Sequence, residues 1–292
     1  MIDASSIAGR PLFLKCESLQ PGGAFKIRGA YNMVSQLTGE QRRRGVITFS
    51  SGNHGQAMAI AARELGAPAV VVMPTTAPPI KIAGTRSFGA EVIFAGTTSV
   101  ERRVRAEQEA AARGLTMVPP FDHEWIIAGQ GTLGLEILEQ RPDVQTILVP
   151  VGGGGLLAGV AAAVKQTRPA VRVVGVEPAG AAAMKASLEA GHAVTLPKTE
   201  SVADGLMPVR PGDITFEHAR QFVDEVVTVE DTQIIEAMLW LFTSAKIVAE
   251  PSGSATVAAA LNGAAQGVTV AIISGGNVGL ERLEELRKQS LA

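Results

Sequence analysis

The chain has 292 residues, 46% of them hydrophobic and 18% charged, enough to bury one large core or two modest ones without a disulfide or metal staple. A formal net charge of −2 supplies no basic field, so neither nucleic acid nor a membrane is expected as a partner, and Arg42–Arg44 reads as a solvated helix end. The single cysteine cannot pair within the chain, no signal sequence opens it and no apolar run reaches membrane-spanning length, which together predict a cytoplasmic protein.

In chain order, Cys16 closes the apolar run Leu12-Phe13-Leu14-Lys15-Cys16 and reads as a buried structural thiol rather than a nucleophile. Gly22-Gly23-Ala24-Phe25-Lys26 then gives way to a helix start. A lysine beside N–H dipoles and an aromatic ring can lose basicity and serve as an amine nucleophile; taken alone, though, Lys26 reads first as a solvated surface residue, as most lysines are. A strand over residues 45–49 leads into Ser50-Ser51-Gly52-Asn53-His54-Gly55 and a helix over 53–65. Hydroxyls, a side-chain amide and free N–H groups at a helix start form a neutral cradle for a carboxylate, or simply cap the helix. His54 is either a base or, more commonly in such a loop, a hydrogen-bonded structural histidine.

Strands over 69–73 and 91–95 and a helix over 100–113 follow, on which Arg102, Arg103 and Arg105 either reach a second carboxylate or form a solvated face. After the Pro119-Pro120 break, a helix over 133–139 and a strand over 146–151 lead into Gly152-Gly153-Gly154-Gly155 and a helix over 156–165. Glycines let backbone approach an anion closely, and the amides at a helix start favour a phosphate. The run also contains Gly153-x-Gly155-x-x-Ala158, with Glu177 after the next strand over 171–176; this satisfies a dinucleotide fingerprint, so an NAD-dependent oxidoreductase is a rival reading. The segment 205–212 reads as a surface loop, helices are predicted over 231–246 and 253–261, and a final strand over 268–274 ends in Ser274-Gly275-Gly276-Asn277. Strands alternating with helices at this spacing predict an α/β protein with parallel-type sheets flanked by helices, in two lobes, with ligands at the carboxyl ends of strands.

Four signals in this order, Phe25-Lys26-Ile27-Arg28-Gly29-Ala30, Ser50-Ser51-Gly52-Asn53-His54, the tetraglycine loop and Ser274-Gly275-Gly276-Asn277, resemble the fold-type II pyridoxal-phosphate enzymes. Within them the chain is most similar to the serine/threonine dehydratase (ammonia-lyase) and serine racemase family. The resemblance implies a tryptophan synthase beta-like fold with the cofactor in an interdomain cleft, a large cofactor-binding domain over 1–44 and 123–292, and a small domain over 45–122. It implies that Lys26 holds pyridoxal 5'-phosphate covalently, Asn53 bonds the 3-hydroxyl oxygen, and Gly152, Gly153, Gly154 and Gly155 with the Leu156 N–H cradle the phosphate. Ser274 would meet the pyridine nitrogen, Phe25 and Gly205 would flank the ring, and Ser50, Ser51, Gly52, Asn53 and His54 would grip the substrate carboxylate. The implied reaction is β-elimination and deamination of L-threonine or L-serine, with Lys26 as base. Ser51, on the face opposite the lysine, makes racemisation an alternative, and a homodimer is implied.

The chain also departs from that pattern. Gly22-Gly23-Ala24 stands where a hydroxyl usually precedes the lysine pair. The cation site of racemase-like members maps to Glu177, the Ala181 carbonyl and Ala183, so a second acid is missing and at most a weakly bound cation is expected. Relatives carry about one further helix and strand ahead of Ala8, and the end at Ala292 implies no isoleucine-sensing domain.

Overall fold

A computed structural model describes residues 1–50, 52–77 and 79–289, which fall into two compact units: Met1–Phe25 with Gln130–Ala292, and Lys26–Gly129. The first unit opens with β1 (Ile2–Asp3), α1 (Ser5–Ala8) and β2 (Leu12–Cys16), followed by two short 3-10 turns that end at Gly23. The second unit contains α2 (Lys26–Gln36), α3 (Gly39–Arg44), β3 (Val46–Thr48), α4 (Asn53–Glu64), β4 (Ala69–Met73), α5 (Pro79–Ser87), β5 (Glu91–Phe94), α6 (Ser99–Arg113) and β6 (Thr116–Met117). The long α7 (Glu124–Gln140) returns the chain to the first unit. There follow β7 (Thr146–Pro150), α8 (Gly155–Thr167), β8 (Arg172–Pro178), α9 (Ala183–Ala190), α10 (Asp213–Phe222), β9 (Glu225–Val229), α11 (Asp231–Trp240), α12 (Pro251–Ala259), β10 (Thr269–Ile273) and α13 (Leu280–Gln289).

The first unit is built on a sheet ordered β1-β2-β10-β7-β8-β9, parallel except for β1. Its central strands β7 and β10 carry no charged residue because helices cover both faces, and every residue of both is buried. Leu133, Ile137 and Leu157 pack on one side and Ala255, Val257 and Ala258 on the other, each fully buried large side chain contributing about 1.5–3 kcal/mol. Because β2, β10 and β7 are parallel neighbours, the segments that leave their carboxyl ends gather along one edge. These are the approach to Phe25, the Ser274 turn and the tetraglycine loop.

The second unit has an all-parallel sheet ordered β5-β4-β3-β6, with α2 and α4 packed together through Ala30, Met33, Ala57 and Ala61. A glycine lets α7 close on α2 in the same way: an added Cβ at Gly129, in the first half of α7, would lie 2.6 Å from the Arg28 carbonyl oxygen. β3 and β6 are adjacent, so Ser50, beyond the end of β3, and the Val118–Pro120 segment, beyond the end of β6, lie off neighbouring strands. α6 begins with a capping box in which Thr98 and Glu101 bond each other's backbone amides, and it ends at a left-handed Gly114.

The predicted α/β architecture with parallel-type sheets is observed. Among the described residues, no helix is long and apolar enough to cross a membrane. Cys16 is half-buried rather than fully buried, and desolvation raises its thiol pKa, which leaves it a poor nucleophile.

Candidate functional site

In the first unit the tetraglycine loop joins β7 to α8. Gly153, Gly154 and Gly155 are buried, and among the described residues no acceptor stands against the N–H groups of Gly152, Gly153 and Gly154. The amides of the first turn of α8 add donors that no intrahelical carbonyl can reach. Gly154 has φ +94, and a Cβ there would lie 2.7 Å from Met184 Cε and 2.8 Å from Thr215 Oγ1, so only glycine fits. Buried, unpaired N–H groups at a helix start are a cradle for an anion.

Ser252 ties two expected ring contacts together: its Oγ accepts the Gly205 N–H at 2.9 Å, and its carbonyl receives the Ser274 hydroxyl at 3.5 Å. The second bond is long, so the buried Ser274 hydroxyl retains most of its donor capacity. Phe25 N–H bonds the Ser274 carbonyl at 3.0 Å, and Ala24 pairs with Gly275 in an isolated bridge. An added Cβ at Gly152 would lie 3.1 Å from the Gly205 carbonyl. The structure therefore brings Phe25, Gly152–Gly155, Gly205 and Ser274 together. The 205–212 segment borders the glycine loop.

In the second unit Lys26 begins α2, and its Nζ donates to the Pro120 carbonyl at 2.7 Å. Desolvation lowers its pKa from 10.5 to about 8, making the free amine accessible near neutrality. His54, buried in the first turn of α4, places Nε2 3.0 Å from the Val118 carbonyl. A carbonyl can only accept, so Nε2 carries the proton. Burial, followed by the charge of Lys26, lowers the His54 pKa to about 3, against a weaker upward pull from Val118. The imidazole stays neutral and serves as a donor that holds the α4 start against β6, not as a base. Gly52 N–H bonds Ser50 Oγ at 3.3 Å, and Asn53 opens α4; Ser51 lies outside the described residues.

Glu177 is fully buried, with Oε1 accepting the Met184 N–H at 2.8 Å and Oε2 the Lys185 N–H at 2.9 Å, at the start of α9. Both oxygens serve a helix N-terminus, whose dipole repels a cation, and Ala183 supplies no carboxylate. Among the described residues no group of three or more His, Cys, Asp or Glu side chains could hold a metal ion. The donor set of Glu177 and the Ala181 carbonyl does not fit a divalent ion. Desolvation raises Glu177 from 4.5 to about 7 despite its two amide bonds. The folded state thus holds this proton more tightly than the unfolded chain, and the stability it contributes is full below pH 4.5 and lost as pH rises through about 7. Chemical denaturation across that interval should show wild type losing about 3 kcal/mol relative to Glu177→Gln. Parallel stability curves for the two proteins would contradict this.

On α6 the three arginines form a solvated face: Arg103 pairs with Glu107, Arg105 with Glu109, and Arg102 bonds the Thr97 carbonyl and Ser99 hydroxyl.

Comparison with known proteins decides the family. The model of a family described as pyridoxal-phosphate dependent enzyme matches residues 2–275. The chain belongs to the pyridoxal-phosphate dependent enzyme family. It is 45% identical over 289 residues to an L-threonine ammonia-lyase of Thermotoga maritima, covering 98% of this chain and 72% of that one. It is 42% identical over 295 residues to a serine racemase of Arabidopsis thaliana, covering 98% and 88%. Among solved structures, the processed form of threonine deaminase isoform 2 from Solanum lycopersicum superposes with a TM-score of 0.93 at 39% identity, over 97% of this chain and 84% of that one. Maize serine racemase superposes with a TM-score of 0.92 at 39% identity, over 98% and 89%.

Taken unit by unit, the chemistry present is compatible with the family's cofactor: buried amides with no acceptor among the described residues and a buried Ser274 hydroxyl bonded at 3.5 Å in the first unit, and a desolvated amine at Lys26 in the second. The dinucleotide reading falls away. The family match spans the glycine loop, and Glu177, which that reading needs for a ribose, is spent on α9. Thr215, Ser252 and Met184 are the residues the sequence reading missed. Ser252 had a faint signal in Pro251-Ser252-Gly253-Ser254, a proline-opened helix start of small residues; nothing local marks Thr215 or Met184.

Proposed function

We propose that this chain is a pyridoxal-phosphate-dependent ammonia-lyase that converts a small L-β-hydroxy amino acid, L-threonine or L-serine, to the 2-oxo acid and ammonia. The observation that carries the reading is Lys26, an amine with its pKa lowered to about 8 at the head of α2, in a chain 45% identical to a threonine ammonia-lyase.

When bound, the cofactor supplies an electron sink for the pair left at the substrate Cα. In this reading Lys26 would hold the cofactor and, as a free amine, would take the Cα proton; an amine of pKa about 8 is matched to that work near neutral pH. The amides of Gly152, Gly153, Gly154, Gly155 and Leu156 would hold the phosphate, Asn53 would bond the 3-hydroxyl oxygen, and Phe25 and Gly205 would flank the ring. Ser274 offers a neutral hydroxyl to the pyridine nitrogen, where a carboxylate would favour its protonation; the weaker sink favours elimination over transamination. Ser50, Ser51, Gly52, Asn53 and His54 orient the substrate carboxylate, with the His54 ring turned to Val118 so that its contribution is its backbone N–H. Loss of the β-hydroxyl as water and hydrolytic release of ammonia balance the reaction.

A second activity, serine racemisation, is favoured by one feature: the hydroxyl of Ser51, in a chain 42% identical to a plant serine racemase. With it goes a cytoplasmic homodimer, testable by light scattering on the eluting protein.

The experiment records the visible spectrum of the protein with pyridoxal phosphate, then supplies L-threonine and L-serine and follows 2-oxo acid and, for serine, the D-enantiomer. A substrate-sensitive visible band with 2-oxo acid release is the expected result. A band without 2-oxo acid but with D-serine would transfer the assignment to the racemase, and no band at all would overturn both.

A further inference from the structure

Four consecutive glycines have more backbone freedom than any other tetrapeptide, so a loop that binds an anion through its amides must be held in one conformation by something outside it. Thr215, fully buried on α10, stands against the loop. Its Oγ1 lies 2.7 Å from the Gly153 carbonyl and 3.1 Å from the Gly212 carbonyl. A hydroxyl has one proton to give, and the Gly212 carbonyl already receives the Phe216 N–H at 3.0 Å, so the shorter bond to Gly153 takes it. The Gly212 N–H reinforces the same carbonyl at 3.2 Å.

Fixing the Gly153 carbonyl fixes the peptide plane it shares with Gly154. In a trans peptide the C=O and the following N–H point in opposite directions, so drawing the oxygen toward α10 turns the Gly154 N–H away from it, into the cradle. Thr215 also limits the space behind Gly154: its Oγ1 and Cβ, with Met184 Cε, are the atoms that an added Cβ at Gly154 would meet at 2.7–2.9 Å. Met184 is itself set by the bond from its N–H to Glu177 at 2.8 Å. The loop is thus backed by two helices, α9 and α10.

We propose that Thr215 is a positioning residue for cofactor phosphate recognition, holding the Gly153–Gly154 peptide so that its N–H faces the anion. The proposal rests on the reading that Gly152–Gly155 receive the phosphate of pyridoxal phosphate.

The test compares the affinity of the apoprotein for pyridoxal phosphate and for pyridoxal, which lacks the phosphate, in wild type, Thr215→Val and Thr215→Ser, followed by absorbance and protein fluorescence. Thr215→Val should weaken pyridoxal phosphate about tenfold or more while leaving pyridoxal unchanged, and Thr215→Ser, which keeps the hydroxyl, should restore affinity to within about threefold. Should the valine variant not fold, Thr215→Ala, which adds no bulk against Gly153, serves the same comparison. Unchanged pyridoxal phosphate affinity in the hydroxyl-less variant overturns the proposal, as does an equal loss for both ligands, which would mark Thr215 as structural only. A wild type that does not prefer pyridoxal phosphate over pyridoxal instead overturns the phosphate-cradle reading, and the role of Thr215 falls with it.

Discussion

Lys26→Ala should abolish the cofactor's visible band and lower 2-oxo acid release from threonine and serine by about 10⁴-fold, the full worth of a positioned proton-transfer group. Two further effects separate this from simple loss of a contact. The free-amine fraction of Lys26 rises about tenfold per pH unit up to its pKa of about 8, so the rate at which apoprotein captures pyridoxal phosphate should rise with pH and level off there. The same desolvation has a stability consequence, whose sign follows from the lowered pKa. Folding disfavours the ammonium, so wild-type apoprotein is penalised below pH about 8 and relieved as pH rises toward 10.5. Lys26→Met, which keeps the apolar stem, should therefore stabilise the apoprotein at pH 7 by about 1–2 kcal/mol, a figure already reduced for partial solvation of the side chain. Denaturant melts at pH 7 and pH 10.5 measure it: the advantage of methionine must shrink at the higher pH. A Lys26→Ala protein that still shows the band and turns over at the wild-type rate would end the assignment of this lysine.

The legibility of the fold follows burial. β4, a continuous Ala-Val-Val-Val-Met run covered on both faces, was readable to the residue, and β5, β7 and β10 came within a residue or two. β9 was missed because it is an edge strand that follows Asp224 and opens on Glu225, with only Val226 and Val229 buried, and β6 because two residues carry no period. The helix read over 231–246 stops being α-helical at Trp240: residues Leu241–Ala245 form a π turn that closes on Lys246 in the left-handed region at φ 59. α7 begins at Glu124, well before the apolar stretch that announced it, because its first turns run through Gly129 and Gly131. The short helices α9, α10 and α13 were passed over, although α13 spaces Leu280, Leu283 and Leu286 three apart and α10 buries Phe216 and Ala219 on one side.

The candidate site was legible where a glycine or a lysine interrupts an apolar pattern and illegible where an ordinary side chain holds such an interruption in place. Thr215 bonds Gly153 across 62 positions of sequence and Ser252 bonds Gly205 across 47, separations at which no local period operates. Glu177 was visible as an acid after a strand, but its use was not. Its two acceptors are consumed by amides that only the folded α9 brings within reach.

Gly253→Ala should be among the most damaging single methyls in the first unit. The added Cβ would lie 2.2 Å from the Gly275 carbonyl oxygen, 3.0 Å from its nitrogen and 3.2 Å from its carbonyl carbon, all backbone atoms that no rotamer change can move. All nine residues of α12 are buried, so the helix cannot back away without opening the core behind it. The Ser274–Gly275 turn would yield instead. That turn accepts the Glu250 N–H at 3.1 Å through Gly275, and the Phe25 N–H at 3.0 Å through Ser274. Its displacement moves the Ser274 hydroxyl and loosens the segment leading into Lys26. Overpacking of this kind costs about 1–3 kcal/mol, and the rigidity of both partners puts this case at the upper end. The functional cost should exceed the stability cost: folded Gly253→Ala should bind pyridoxal phosphate at least about tenfold more weakly, because Ser274 and Phe25 no longer hold their places. Thermal melts and cofactor titration on the same preparation separate the two. A variant that melts and binds as wild type would show that α12 and the Ser274 turn can part without cost, removing the rigid support on which this side of the site is argued to stand.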